Sequence, residues 1–188
     1  DCYFNTGDDC IAIKSGRNND GRRINVPSEN IIIQNCIMKE GHGGVVLGSE
    51  ISGGVRNVFA ENCKMDSPNL DRAIRLKTNS IRGGVIENLY VRNIEVGEVK
   101  EAVIKIDFFY EEGDAGKFTP TVRNLFIENL TSEKSEYAVW IKAYKHSTVK
   151  NLIINNCDFK NVKKENVLEN VEGKKISSTK INDKEVQE

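Results

Sequence analysis

Two adjacent carboxylates hold the chemistry nearest the start of the chain. In "NTGDDCIAIKSG", residues 5–16, Asp8 and Asp9 follow Gly7 and lead into an alternating apolar stretch. Neighbouring like charges raise the cost of ionising both, so one member is expected to keep its proton to higher pH and act as an acid while the other stays ionised as a base. Alone, two Asp in a glycine-containing turn are most often solvated turn residues. Other stretches supply what such a pair would need: His42 in "EGHGG", and Arg75 with Lys77 in "AIRLKT". Two acids, an imidazole and two fixed cations suit general acid–base work on an anionic substrate. Lys14, Tyr110 in "IDFFYEEG" and Trp140 are candidates for the same surface, although packing explains an outward Trp at a groove edge equally well.

These residues are far apart in sequence, so only a particular fold can assemble them. "NIIIQN" (30–35), "NVFAEN" (57–62), "NLYVRN" (88–93), "NLFIEN" (124–129) and "NLIINN" (151–156) repeat one pattern at steps of 27, 31, 36 and 27 residues. A spacing fixed inside the unit and variable between units places the insertions in connecting loops. Each unit is accompanied by a second alternating segment: "CIAIKS", "GVVLGS", "AIRLKT", "VIKIDF" and "AVWIKA". One face of each is apolar, which fits a coil with a continuous core. The fold class read from this pattern is an all-β, right-handed parallel β-helix, with coils stacked about 4.8 Å apart. Asparagine tolerates left-handed backbone and can hydrogen-bond to its copy in the next coil, which accounts for its recurrence at the bends. A ladder role also explains Asn129 better than does the glycosylation sequon Asn129-Leu130-Thr131.

Stacking aligns the chemistry. Counting from Asp1 and Asn35, His42 falls over Asp8 and Gly43 over Asp9. Arg75 shares an outward column with Ala12, Val46, Lys105 and Trp140, and Lys77 shares one with Lys14, Gly48, Asp107 and Lys142. Val46 and Gly48 are small enough to leave a trough between the acids and the cations. Arg75 beside Lys105 is expected to need a bridging anion, and Lys77 is a candidate ion-pair partner for Asp107. Neighbours on a strand point to opposite faces, so Asp8 and Asp9 can share the cleft only if the chain bends at Gly7.

On such a solenoid, "NTGDDCIAIKSG", "GHGG" and "RLK", in this order, resemble the glycoside hydrolase family 28 polygalacturonases. The motifs of that family are Asn-Thr-Asp, Asp-Asp, Gly-His-Gly and Arg-Ile-Lys. Three of the four are present, with Leu76 in place of Ile. The "NT" before Gly7 is not the first motif, which in the family lies upstream of the Asp-Asp coil. The resemblance implies hydrolysis of α-1,4-galacturonosyl bonds of pectin with inversion, without metal or cofactor. It makes Asp8 the general acid and has Asp9 share the water-activating role with the aspartate of the first motif. His42 would tune Asp8, Arg75 and Lys77 would hold a substrate carboxylate, and Tyr110 would line the cleft. Inversion calls for an acid and a base carboxyl ~6.5–9.5 Å apart. The same groove also fits a module that binds galacturonan without cleaving it, or a related rhamnogalacturonan or exo-galacturonan hydrolase. A calcium-dependent lyase would need several clustered carboxylates and an Arg base, and only Asp8 and Asp9 cluster.

Bulk properties are consistent with this reading. The 188 residues suit one domain, 1–188, and the formal net charge of -1 gives no overall field for nucleic acid. The apolar runs are too short to span a bilayer. Five cysteines without C-x-x-C spacing read as reduced packing residues. "DCYF" matches the second half of a repeat unit, so the chain is expected to start mid-coil as the C-terminal part of a longer enzyme. An uncapped first coil of that kind invites self-association. Residues 160–188 read as a degraded last coil and cap. The expected partner is an acidic polysaccharide, and a secreted or periplasmic location follows from the resemblance alone.

Overall fold

A computed structural model describes residues 1–186 and winds them into a parallel β-helix. One wall is a six-stranded parallel sheet. In spatial order its strands are Ile11–Ile13, Val45–Gly48, Arg72–Lys77, Ala102–Asp107, Tyr137–Lys142 and Val167–Glu169. We call this the site sheet. The Asn-flanked units form the opposite wall: Ser28–Gln34, Val55–Glu61, Val85–Glu98, Thr121–Lys134 and Val149–Asn155. They pair in parallel with Ile31, Val58, Leu89, Leu125 and Leu152 in one register column. The described part of the C-terminus adds a short coil, Val167–Ile181, and ends in an antiparallel pairing of Thr179–Ile181 with Lys184–Val186.

The alternation seen in the sequence is the alternation between core and surface. Val45, Leu47, Ile74, Leu76, Ile104, Ile106, Val139 and Ile141 of the site sheet are all buried in one core. All five cysteines are free. Cys10, Cys36, Cys63 and Cys157 are buried and Cys2 is exposed, and burial pushes the Cys157 thiol up to about 11. On the outer face of the opposite wall, Phe59, Tyr90 and Phe126 stack with centroids 4.9 and 5.0 Å apart, the spacing that the coils impose.

Two asparagine ladders fix the register. In one, the side-chain amide of each Asn donates to the Asn of the coil before it: Asn57 to Asn30 (3.0 Å), Asn88 to Asn57 (3.0 Å), Asn124 to Asn88 (3.0 Å) and Asn151 to Asn124 (2.9 Å). The second links Asn93 to Asn62 (3.1 Å), Asn129 to Asn93 (3.1 Å) and Asn156 to Asn129 (2.7 Å). Every member has left-handed φ, between 51° and 59°. The residue must therefore tolerate that backbone and also offer both a donor and an acceptor, and Asn does both.

The helix Asn18–Ile24 has no counterpart in the repeat pattern. It is short, carries Gly21 at its centre, and has no side-chain N-cap bond. Intrinsic propensity does not account for it, and tertiary contacts do. Gly21 packs against Gly16 so closely that a Cβ would lie 2.6 Å from its carbonyl. Arg22 donates to the carbonyls of Ile81 (3.0 Å) and Arg82 (2.9 Å) and lies 3.5 Å over the Phe118 ring. The helix thereby joins the loops at the C-terminal edge of the site sheet. Among the described residues no helix is long and apolar enough to cross a membrane.

The ladder can be tested at Asn124, which bonds in both directions. Asn124→Gly removes both ladder bonds and also the Cβ that the left-handed backbone disfavours, whereas Asn124→Ala removes the same bonds but keeps a Cβ at φ 59. Denaturant titration should rank the wild type above Gly and Gly above Ala, the last step costing about 1 kcal/mol. An Ala variant as stable as the Gly variant would contradict the strain argument.

Candidate active site

A cleft of about 460 Å³ lies over the site sheet and draws its lining from four successive coils. The first coil supplies Asp8, Asp9, Lys14 and Arg17, the second His42 and Glu50, the third Arg72, Arg75, Lys77 and Arg82, and the fourth Tyr110 and Glu111. The groove therefore runs along the solenoid axis, between loops at the two edges of the sheet. Of the sequence candidates, Asp8, Asp9, Lys14, His42, Arg75, Lys77 and Tyr110 line it, and Trp140 does not.

The adjacent aspartates have opposite environments. The chain bends at Gly7 and Asp8, ahead of the strand at Ile11, so both side chains reach the cleft. Asp8 is 79% exposed, and its Oδ1 lies 2.9 Å from His42 Nδ1. An ionised Asp8 would accept from an Nδ1–H, and a protonated Asp8 would donate to a bare Nδ1, so the contact serves either form of the acid. Asp9 is 6% exposed, with Oδ2 2.9 Å from Lys77 Nζ and Oδ1 3.7 Å from a terminal nitrogen of Arg75. Among the described residues Asp9 Oδ1 and Arg75 Nε have no hydrogen-bond partner.

This arrangement corrects four expectations. Like-charge repulsion does not raise Asp8. The Asp9 backbone N–H donates to Asp8 Oδ1 at 2.8 Å and, with help from His42, holds the Asp8 carboxyl below its ordinary value. The small residues of the second coil do not leave an open trough either. Val46 and Gly48 are buried, and the long side chains of Arg75 and Lys77 reach Asp9 across that coil. Arg75 and Lys105 need no external anion to bridge them, because Glu101 pairs with both Lys105 and Arg72 while Arg75 is drawn to Asp9. Asp107 does not pair with Lys77 but accepts from the Phe109 backbone N–H at 2.9 Å, starting the next turn.

The spacing of the acids also differs from the inverting range. One oxygen of each carboxylate and a ring nitrogen of His42 all lie within 4.8 Å of one another. That is tighter than the ~6.5–9.5 Å that leaves room for a water across a sugar ring. The three groups would fit a divalent cation only against opposition, since Lys77 and Arg75 already claim Asp9. Burial lowers the proton affinity of both cations below its ordinary value.

Lys14 pairs with Glu50 at 2.9 Å and stays partly exposed at the cleft edge. The Tyr110 ring lies 5.5 Å from the Arg75 guanidinium carbon and 5.2 Å from Lys77 Nζ, and burial raises its hydroxyl pKa. Trp140 does not offer an open platform, because Lys105 lies 4.4 Å and Lys142 5.5 Å over its ring. Seven further lining residues escape the sequence reading, among them Arg72, which pairs with Glu101, and Arg82, Glu111 and Glu50. Arg82 is buried and bonds Glu111 at 2.8 Å and the Asn18 side-chain oxygen at 3.0 Å, bracing loop, turn and helix together. Its only sequence signal is a basic residue just after the "RLK" strand.

A family model described as glycosyl hydrolases family 28 matches residues 1–178. A probable polygalacturonase of Vitis vinifera is 28% identical over 166 residues, which cover 83% of this chain and 32% of that one. An exo-poly-alpha-D-galacturonosidase of Dickeya chrysanthemi is 30% identical over 139 residues, covering 68% of this chain and 23% of that one. The crystal structure of a hyperthermoactive exopolygalacturonase from Thermotoga maritima superposes with a TM-score of 0.92 at 41% identity, over 96% of this chain and 40% of that one. The chain thus spans less than half the length of each of these relatives. A family 28 exopolygalacturonase of Yersinia enterocolitica, at 20% identity and a TM-score of 0.76, shares the fold. The four-coil cleft with its acid pair, and the match along residues 1–178, lead to one assignment: the chain belongs to glycoside hydrolase family 28.

Proposed function

We propose that this protein hydrolyses galacturonosyl linkages of pectin, with Asp8 as proton donor, Asp9 as the ionised carboxylate that activates water, and Arg75 and Lys77 as the cationic floor that receives sugar carboxylates. The observation that carries this is the division of labour within the acid pair. The Asp9 side chain is withdrawn from water and clamped at 2.9 Å by the Lys77 ammonium, which fixes where its carboxylate stands. Asp8 is exposed beside His42, and by giving up its contacts with His42 and the Asp9 N–H it can turn toward a leaving oxygen and widen the gap between the two carboxyls when a sugar ring enters. Family membership supports the reaction class, and the names of the relatives support galacturonan as the substrate. Net inversion is our proposed stereochemistry. We also propose that the enzyme meets its polymer outside the cytoplasm.

Hydrolysis is checked by release of reducing ends from polygalacturonate, with proton NMR of the first-formed anomer reading the stereochemistry. Asp8→Asn should lower kcat at least ~100-fold. Equal, background-level release from the wild type and the variant would instead favour a galacturonan-binding module.

The pH profile follows from the depressed Asp8 pKa. An acid catalyst must be protonated, so activity is lost as pH rises through its pKa, and a lowered pKa places that limb on the acid side. Asp9's backbone N–H and His42 both lower it. His42→Ala removes one of these causes, so the alkaline limb of kcat/KM should move to higher pH while kcat falls. A limb that stays put, or moves to lower pH, would contradict the assignment of Asp8 as the donor.

A further inference from the structure

Tyr144 lies outside the cleft, yet its hydroxyl holds the turn that carries Tyr110. The strand Ala102–Asp107 ends at the cleft edge, and residues 108–113 turn back over it, with Glu111 and Gly113 in left-handed backbone at φ 53 and 59. Turns of that kind keep one shape only when their polar groups are held. Here both feet of the turn meet one buried oxygen from the next coil. The Tyr144 O–H donates to the Phe108 carbonyl at 2.5 Å, with the Gly113 carbonyl 2.9 Å away as a second acceptor, and its oxygen accepts the Ser80 backbone N–H at 3.1 Å. The ring is 1% exposed and packs edge-on against Phe108 and Phe109, with centroids 5.4 and 4.9 Å apart.

The third coil completes the grip. The Asn79 side-chain amide donates to the Tyr110 carbonyl at 2.9 Å and to Glu112 at 2.7 Å. Ser80 Oγ donates to the Gly113 carbonyl at 3.3 Å and accepts the Gly116 N–H at 2.6 Å. Tyr110 sits between the two pinned carbonyls, and its ring stands over Arg75 and Lys77. Buried polar groups with all partners satisfied set one geometry, and removal of one partner leaves the others unpaired.

We propose that Tyr144 is a positioning residue: by clasping Phe108 and Gly113 it sets Tyr110 against Arg75 and Lys77, and so shapes the pocket that receives a sugar carboxylate. It touches no substrate and acts through Tyr110. The inference rests on the galacturonan hydrolysis proposed above. The effect is one of uniform binding, felt in KM and hardly in kcat, because the cation pair and its aromatic cover hold the sugar in ground and transition state alike.

The experiment compares Tyr144→Phe, Ser80→Ala, Tyr110→Ala and the Tyr144→Phe/Tyr110→Ala double variant in the full-length protein. Tyr144→Phe removes only the hydroxyl. It should speed amide exchange in residues 109–118 and raise KM for oligogalacturonate about three- to tenfold, with kcat within about twofold of wild type. Ser80→Ala should give the same pattern by an independent route, which keeps the test decisive if the Phe variant folds poorly. In the double variant KM should match that of Tyr110→Ala alone. Unchanged exchange and KM in both Tyr144→Phe and Ser80→Ala would overturn the proposal, as would multiplying effects of Tyr144→Phe and Tyr110→Ala. Absence of turnover in the wild type would sink the functional reading instead, and the exchange measurement would still decide the clasp.

Discussion

Parallel register is the constraint on which the molecule depends. A strand that slips by one residue exchanges its core face for its solvent face. In this solenoid the slip would also scatter the cleft, because its lining comes from four coils with one or a few side chains each. The two asparagine ladders oppose slippage: each ladder bond joins Asn to Asn, at 2.7 to 3.1 Å, and no other register offers that match. A stiff, regular wall on one side thus fixes the geometry of an irregular, charged groove on the other.

Within the groove, electrostatics divides two chemically identical residues. Asp9 and Asp8 are neighbours in sequence, but one is enclosed and answered by Arg75 and by Lys77, the latter 68 residues on, while the other faces water and an imidazole. Their difference in environment, more than their mutual repulsion, is what can give them different work. The third coil carries the cost: Arg72, Arg75, Lys77 and Arg82 all come from one stretch of chain and are all largely withdrawn from water. The acids that answer them are Asp71 and Glu101 for Arg72, the shared Asp9 for Arg75 and Lys77, and Glu111 for Arg82. Such a network costs desolvation and returns a fixed array of charge, which is useful to a protein that must grip an anionic chain.

The wall was legible in sequence because it repeats. The Asn-x4-Asn spacing names the bends, the alternation names the core face, and together they give the register that sets Arg75 beside Val46 and Lys105. Side-chain reach was not legible. Strand spacing alone separates Asp9 from Arg75 by two coils, yet a guanidinium and an ammonium on long stems cross that distance over Val46 and Gly48. The same blindness hid Glu101 between Arg72 and Lys105. The Asn18–Ile24 helix was invisible for another reason: nothing local favours it, and only the Arg22 and Gly21 contacts hold it. Tyr144 lacked any signal, since a single buried hydroxyl that joins two turns leaves no pattern in the chain.

The claim that stacking assembles the groove is tested most directly by the coupling between Asp9 and Lys77, residues that sequence separates and the fold joins. Thermal or denaturant stability of Asp9→Asn, Lys77→Met and the double variant closes a mutant cycle. The account predicts a favourable coupling of about 1–3 kcal/mol, with the double variant more stable than the two single losses sum to. Losses that simply add would mean that Lys77 does not hold Asp9, and the division of roles between the two aspartates would fall with it.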